Sequence, residues 1–176
     1  TTLIGCSTDS GAFNANIIKM MADNNLNNCA RPIIFPLSNP TKLAEAVPQD
    51  IIELTAGRAL IATGSPFDSV EYQDKKFNIS QCNNALVFPG IGLGMVLSKA
   101  KVLTDNMLLA ASEALSNYKH INKGDLLPSL AQAPDVSKDI AQAVIEQAII
   151  DKVCNLADDF DFERDYQRYK SCSVIT

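Results

Sequence analysis

Apolar positions along the chain fall into two spacings. Short unbroken apolar runs at residues 3–5, 32–37 and 59–63 have the length and composition of strands covered on both faces, as in parallel sheets. Between them, residues 14–21, 41–46 and 48–56 carry helical patterns. Pro48 suits a first helical position, where no N–H is needed, and Gly57 suits a C-terminal cap, although Val47 is a poor N-cap. Strand alternating with helix predicts an α/β fold with a doubly wound parallel sheet.

Beyond Gly64 the pattern changes. Residues 65–80 are polar, include Pro66, Asp74, Lys75 and Lys76, and show no helical period, which predicts a hairpin-like excursion or a long loop. Residues 85–88 are apolar, and residues 89–100 carry three glycines before a helical run through Met95, Val96 and Leu97. Thr104 is a predicted N-cap for a helix reaching about Tyr118, with Met107, Leu108, Ala111 and Leu115 on one face. Residues 124–134 read as a connector. Ser137 is the expected cap of the next helix, whose apolar positions Ile140, Ala143, Val144, Ala148 and Ile149 run to about Cys154. Phe162, Tyr166 and Tyr169 form an aromatic stripe read as a docking face. The expected architecture is a partial doubly wound parallel sheet over residues 1–100, followed by C-terminal helices over 101–176. Apart from an Asn-rich turn at residues 24–28, the chain has no low-complexity segment, and it has no internal repeat.

Composition narrows the function classes. With 176 residues, 47% of them hydrophobic, the chain is long enough for a substantial core. A net charge of -5, with no basic patch interleaved with aromatics, argues against a nucleic-acid partner. No apolar stretch approaches the ~20 residues that cross a bilayer, so no membrane partner is expected and a soluble, cytoplasmic protein is. The five cysteines, Cys6, Cys29, Cys82, Cys154 and Cys172, are odd in number and contain no CxxC pair, which predicts free thiols in a reducing compartment. Opening on Thr1 and moving directly into a strand, the chain reads as a piece of a longer protein.

Candidate chemistry gathers where strands end. Ser38-Asn39-Pro40-Thr41 follows the second strand, at the carboxyl edge where open α/β sheets bind ligands. The Asn39 amide can orient a carboxylate, a ribose hydroxyl or a carboxamide; the plain alternative is a turn with Thr41 as helix cap. Gln81-Cys82-Asn83-Asn84 places amides at the mouth of an apolar segment, where either a ligand or neighbouring backbone can pair them. Gly5-Cys6-Ser7-Thr8 and Gly64-Ser65-Pro66-Phe67 follow the first and third strands, their glycines serving either close approach of a nucleotide or crowded turns. In Pro89-Gly90-Ile91-Gly92-Leu93-Gly94 the spacing is GxGxG rather than GxGxxG, which reads as close helix packing. His120, the single histidine, reads as a surface residue. Asp158, Asp159 and Asp161 read as a solvated face or a helix start rather than a metal site.

Taken in order, these strings resemble malic enzymes of the bacterial NAD-using type, which are similar to malolactic enzymes. The resemblance is carried by Leu3-Ile4-Gly5-Cys6-Ser7 with Gly11-Ala12-Phe13, by Arg31 to Thr41, by Ala62-Thr63-Gly64-Ser65-Pro66-Phe67, by Gln81-Cys82-Asn83-Asn84 and by Phe88 to Gly94, with weaker similarity to Tyr166 and Arg168. It implies that residues 1–100 are the C-terminal part of an NAD-binding, Rossmann-like domain. It also implies a parent oxidoreductase, a malate dehydrogenase (oxaloacetate-decarboxylating), that converts malate to pyruvate and works as a homo-oligomer, dimer or tetramer. The implied cofactors are NAD or NADP and a Mg2+ or Mn2+ ion. By the same resemblance Asn39 contacts substrate and cofactor, Asn83 or Asn84 binds the malate carboxylate, and Gly5, Ser7, Gly64 and Ser65 line the cofactor. The family's catalytic tyrosine and lysine, metal carboxylates, substrate arginine and phosphate loop have no counterparts in this chain, so neither catalytic nor metal residues are expected in it and the piece alone is expected to be inactive. The alternatives are a malolactic enzyme, turning malate to lactate, and a non-catalytic interaction module of the same fold.

Overall fold

A computed structural model describes residues 2–24 and 31–172. Thr1, Cys29 and most of the expected Asn-rich turn lie outside them. The described chain forms two compact units: one comprises the residues up to Asn83 together with His120–Leu130, the other Asn84–Lys119 together with the residues from Ala131 onward. Residue 101, the expected start of the helical extension, lies within the second unit, which begins at Asn84.

The first unit is built on a four-stranded parallel sheet in the order β1-β2-β3-β6. Strand β1 (Thr2–Gly5) pairs with β2 (Ile33–Pro36), β2 with β3 (Leu60–Thr63), and β3 with β6 (Ser80–Gln81). The expected strands at 3–5, 32–37 and 59–63 are all present. Strand β6 was not anticipated, because a two-residue strand carries no periodicity. Parallel strands require crossovers, supplied between β1 and β2 by helix α1 (Ala15–Asn24) and between β2 and β3 by α2 (Pro48–Leu54). The Asn14 side chain caps α1, accepting from the amides of Asn16 and Ile17. Pro48 opens α2 as expected, and Gly57, at φ +71°, closes it by donating its N–H to the Ile52 carbonyl.

Ile18, Ile34, Ile51, Ile52, Ala59, Ile61 and Val70 form the core of this unit. Val70 comes from the polar excursion, which is a hairpin of β4 (Val70–Tyr72) and β5 (Lys75–Phe77). Its two-residue turn, Gln73-Asp74, has φ of +49° and +58°, the left-handed geometry that matches strand twist. The segment His120–Leu130 is tied to this unit where the Leu126 and Leu127 amides donate to the buried Ser80 hydroxyl.

In the second unit helix α5 (Ala133–Ile150) is central, burying Val136, Ile140, Ala141, Val144, Ile145 and Ala148. Helix α3 (Phe88–Ser98) packs on it through the expected glycines: a Cβ on Gly90 would sit 2.7 Å from Ile140 Cβ, and one on Gly94 2.7 Å from Val144 Cβ. Gly90 and Gly94 therefore lie on the packed face of α3 while Gly92 faces open space, and α3 begins at Phe88 rather than after the glycines. Helix α4 (Asp105–Ser116) is capped by Thr104, whose side chain accepts from the Met107 amide, and buries Met107 and Ala111. Leu108, expected on that face, is exposed.

Ser137 does not cap α5. The helix starts four residues earlier, with Pro134 in its first turn, where a fixed φ and absent N–H are harmless, and Ser137 is buried within it. Helix α6 (Phe162–Cys172) docks only part of its aromatic stripe: Lys138 of α5 lies over the Tyr166 ring and pairs with Glu163 at 2.6 Å, Phe162 stacks on Tyr166 within the helix, and Tyr169, expected on the same face, is exposed. Among the described residues no helix is long and apolar enough to cross a membrane.

Candidate functional site

Because β1, β2, β3 and β6 run in parallel, their carboxyl ends lie along one edge of the four-stranded sheet. Backbone bonds carry the ladder past the strands: the Leu37 amide donates to Gly5, that of Gly64 to Pro36 and that of Cys82 to Thr63. The segments after β1, β2, β3 and β6 are thereby set side by side. Gly5 closes β1, and the segments that follow the four strands contain Ser7, Asn39, Gly64 with Ser65, and Asn83, in that order. Asn84 begins the second unit, exposed in a 3-10 turn over Asn84–Leu86.

Asn39 is exposed just beyond β2, and its side-chain carbonyl accepts from the Ser65 hydroxyl of the β3 loop. With that oxygen held, the amide has its two N–H donors to offer a ligand, the group suited to a carboxylate or a carboxamide oxygen. Ser65 is buried, and its own carbonyl accepts from Thr63 Oγ1 at 2.8 Å. Gln81 contributes to the framework by donating to the Gly64 carbonyl at 3.1 Å.

Both glycines are demanded by protein neighbours. A Cβ on Gly64 would meet the Leu37 carbonyl oxygen at 2.0 Å, and one on Gly5 would meet the Glu45 side chain and the Phe13 ring at 2.6 Å. Crowding by neighbouring protein atoms requires a glycine at both positions.

The residue that sequence reasoning missed is Glu45, which has no exposed surface. Its Oε1 accepts from the Ser7 amide at 2.8 Å, the Ser7 hydroxyl at 3.1 Å and the Ser38 hydroxyl; its Oε2 accepts from the Ser38 amide at 3.3 Å. The Ser38 hydroxyl in turn accepts from the Thr8 amide at 2.9 Å. Burial pushes the Glu45 carboxyl up, but the bonds from the Ser38 hydroxyl and from backbone amides outweigh it, holding the group below its ordinary value. Among the described residues no cation pairs with it, and the carboxylate is stabilised by hydrogen-bond donors. An available signal was its setting in Leu43-Ala44-Glu45-Ala46-Val47, a lone acid in an apolar run.

Cys82, between Gln81 and Asn83, is half-buried, and that burial pushes its thiol up, with Cys6 adding to the effect. Cys6, Cys82 and Cys154 are free thiols. His120 is exposed. Asp161 marks a helix start, accepting from the Arg164 amide at 2.7 Å, and Asp159 pairs with Arg164. Among the described residues no group of three or more His, Cys, Asp or Glu side chains is placed to hold a metal ion.

Residues 1–149 match the family model described as malic enzyme, NAD binding domain. The chain belongs to this malic enzyme family. It is 52% identical over 163 residues to an NAD-dependent malic enzyme of Acinetobacter baylyi, covering 90% of this chain and 28% of that protein. A second NAD-dependent malic enzyme, from Photorhabdus laumondii, is 48% identical, again with 90% of this chain and 28% of the relative covered. Among solved structures, the malic enzyme of Entamoeba histolytica superposes with a TM-score of 0.70 at 28% identity, over 99% of this chain and 35% of that one. The NAD-dependent malic enzyme of Thermotoga maritima gives 0.60 at 30% identity, over 82% and 32%. This chain therefore spans about a third or less of the length of these malic enzymes. The match confirms the α/β fold expected from strand and helix patterning.

Proposed function

We propose that this chain is the part of an NAD-dependent malic enzyme that holds malate and the nicotinamide in register while malate is oxidised and decarboxylated to pyruvate. NAD, when bound, would supply the acceptor for the hydride lost from malate C2 in this conversion. Asn39 donates its N–H groups to substrate and cofactor, with its carbonyl pinned by Ser65. Asn83 or Asn84 donates to the malate carboxylate. The Gly5–Ser7 and Gly64–Ser65 segments line the cofactor along the edge. Support comes chiefly from one observation: Asn39 is fixed by a residue of the neighbouring loop at the carboxyl edge of a parallel sheet, the place where such sheets bind ligands.

These groups orient; none of them is positioned as a proton-transfer pair. The divalent ion implied by the family does not fit a donor set among the described residues, and no ligand role is assigned to them. Cytoplasmic location and a homo-oligomeric state belong to the same proposal and are supported only by family membership.

The test is Asn39→Ala in the full-length enzyme carrying this sequence, assayed with malate, NAD and Mn2+. A fall in kcat/KM of about a hundredfold is expected for loss of a donor used in the transition state. Unchanged kinetics would remove Asn39 from the site.

A further inference from the structure

We infer that Glu45 is a positioning residue, which sets Ser7 and Asn39 relative to one another by clamping the loops after β1 and β2 onto one buried carboxylate. The inference rests on the reading of Asn39 as a ligand-binding residue. Four donors converge on Glu45, two from Ser7 and two from Ser38, the residue immediately before Asn39. The Ser38 hydroxyl is also the acceptor for Thr8, so the β1 loop is bound twice to the same cluster. The backbone around Glu45 reinforces the connection, its carbonyl accepting from the Phe13 amide at 3.0 Å.

A wholly enclosed carboxylate, with no cation beside it among the described residues, is an expensive way to join two loops. An apolar side chain of similar size would fill the same space, but it would leave the Ser7 and Ser38 amides without acceptors. The carboxylate accepts from both loops at once with fixed geometry, and Gly5 leaves the room it needs: a Cβ there would meet Glu45 Cδ at 2.6 Å. Asn39 is thus held on two sides, by Ser65 through its side chain and by Glu45 through the preceding residue. Glu45 itself has no exposed surface. Its influence on the reaction passes through Ser7 and Asn39.

The experiment is a double-mutant cycle in the full-length enzyme, pairing Glu45→Gln with Asn39→Ala, with Ser38→Ala as a milder partner should Glu45→Gln fail to fold. Glu45→Gln keeps the shape but replaces an acceptor oxygen with a donor facing an amide. With Asn39 present, Glu45→Gln is expected to lower kcat/KM for malate about tenfold and to raise KM for NAD, the cost of loosened positioning. With Asn39 already alanine, the further loss is expected to be about twofold or less, since residues acting as one unit are non-additive. Hydrogen exchange at the Ser7 and Ser38 amides is expected to accelerate in Glu45→Gln. Full additivity with Asn39→Ala would overturn the inference, as would a lowered melting temperature with kinetics unchanged below it. If Asn39→Ala alone leaves kinetics intact while the two amides still exchange faster in Glu45→Gln, the clamp is real but the Asn39 assignment has failed, and the catalytic role of Glu45 falls with it.

Discussion

The Ser65 hydroxyl donates to the side-chain carbonyl of Asn39, so the loop after β3 decides which way the amide of the β2 loop presents its donors. Ser65→Ala removes that constraint without touching the sheet. In the full-length enzyme it is expected to cost about 1 kcal/mol of transition-state stabilisation, about fivefold in kcat/KM for malate. Ser65→Thr, which keeps the hydroxyl, is expected to retain more activity than Ser65→Ala. Steady-state kinetics of the two variants checks this, and equal losses would mean that the bond does not orient Asn39.

Glu45 gives the fold a dependence on acid. Its folded carboxyl is held below its value of 4.5 in the unfolded chain, so the charged form favours the native state. The resulting stability is fully present above 4.5 and is lost as pH falls through the lower folded value. Urea unfolding of wild type and Glu45→Gln across this range is expected to show a steeper loss of stability in wild type. Parallel curves would show that the carboxylate adds nothing to the acid transition.

Two glycines of α3 should respond in opposite directions. Gly94→Ala places a methyl group 2.7 Å from Val144 Cγ1 and 3.0 Å from the Ala141 carbonyl, and is expected to destabilise by about 1–3 kcal/mol. Gly92 has nothing within 4 Å of its would-be Cβ, so Gly92→Ala is expected to stabilise by about 0.5–1 kcal/mol through helix propensity. Thermal melts of the two variants separate packing from propensity.

Thr104 caps α4 and also donates to Asp151 at the end of α5. Thr104→Ala is expected to cost about 1 kcal/mol through loss of the cap. It is also expected to raise the Asp151 carboxyl, which the Thr104 hydroxyl, Gln147 and Asn106 together hold low. NMR titration of the Asp151 side chain reads the second effect directly; a carboxyl titrating as in wild type would show that Thr104 does not reach it in solution.

Tyr166 anchors α6 through Lys138 of α5, which lies over its ring. Tyr166→Ala is expected to release the helix, seen as faster limited proteolysis after Arg164 and Arg168 with the rest of the chain intact. An unchanged cleavage rate would place the anchor elsewhere.

Much of the architecture follows from local chemistry. Residues 32–37 and 59–63 are too apolar to lie anywhere but between two layers, Pro48 and Gly57 bracket a helix by their backbone limits, and Thr104 caps because its oxygen reaches an amide three residues on. The motifs at strand ends were legible for the same reason, since α/β order alone puts Ser7, Asn39, Ser65 and Asn83 at one edge. Ser137 misled because a serine looks alike inside a helix and at its start, and the choice was settled by packing against neighbours distant in sequence.

What the sequence by itself determined is the sheet, its helices and the row of polar residues along its carboxyl edge, because periodicity and turn chemistry act over a few residues. Which of those residues hold one another was decided only by tertiary structure. Glu45 lies 38 positions from Ser7, and Ser65 lies 26 from Asn39. No local pattern encodes either contact: a buried carboxylate is tolerable only where folding delivers enough donors to it, and that delivery depends on the order in which parallel strands are laid side by side.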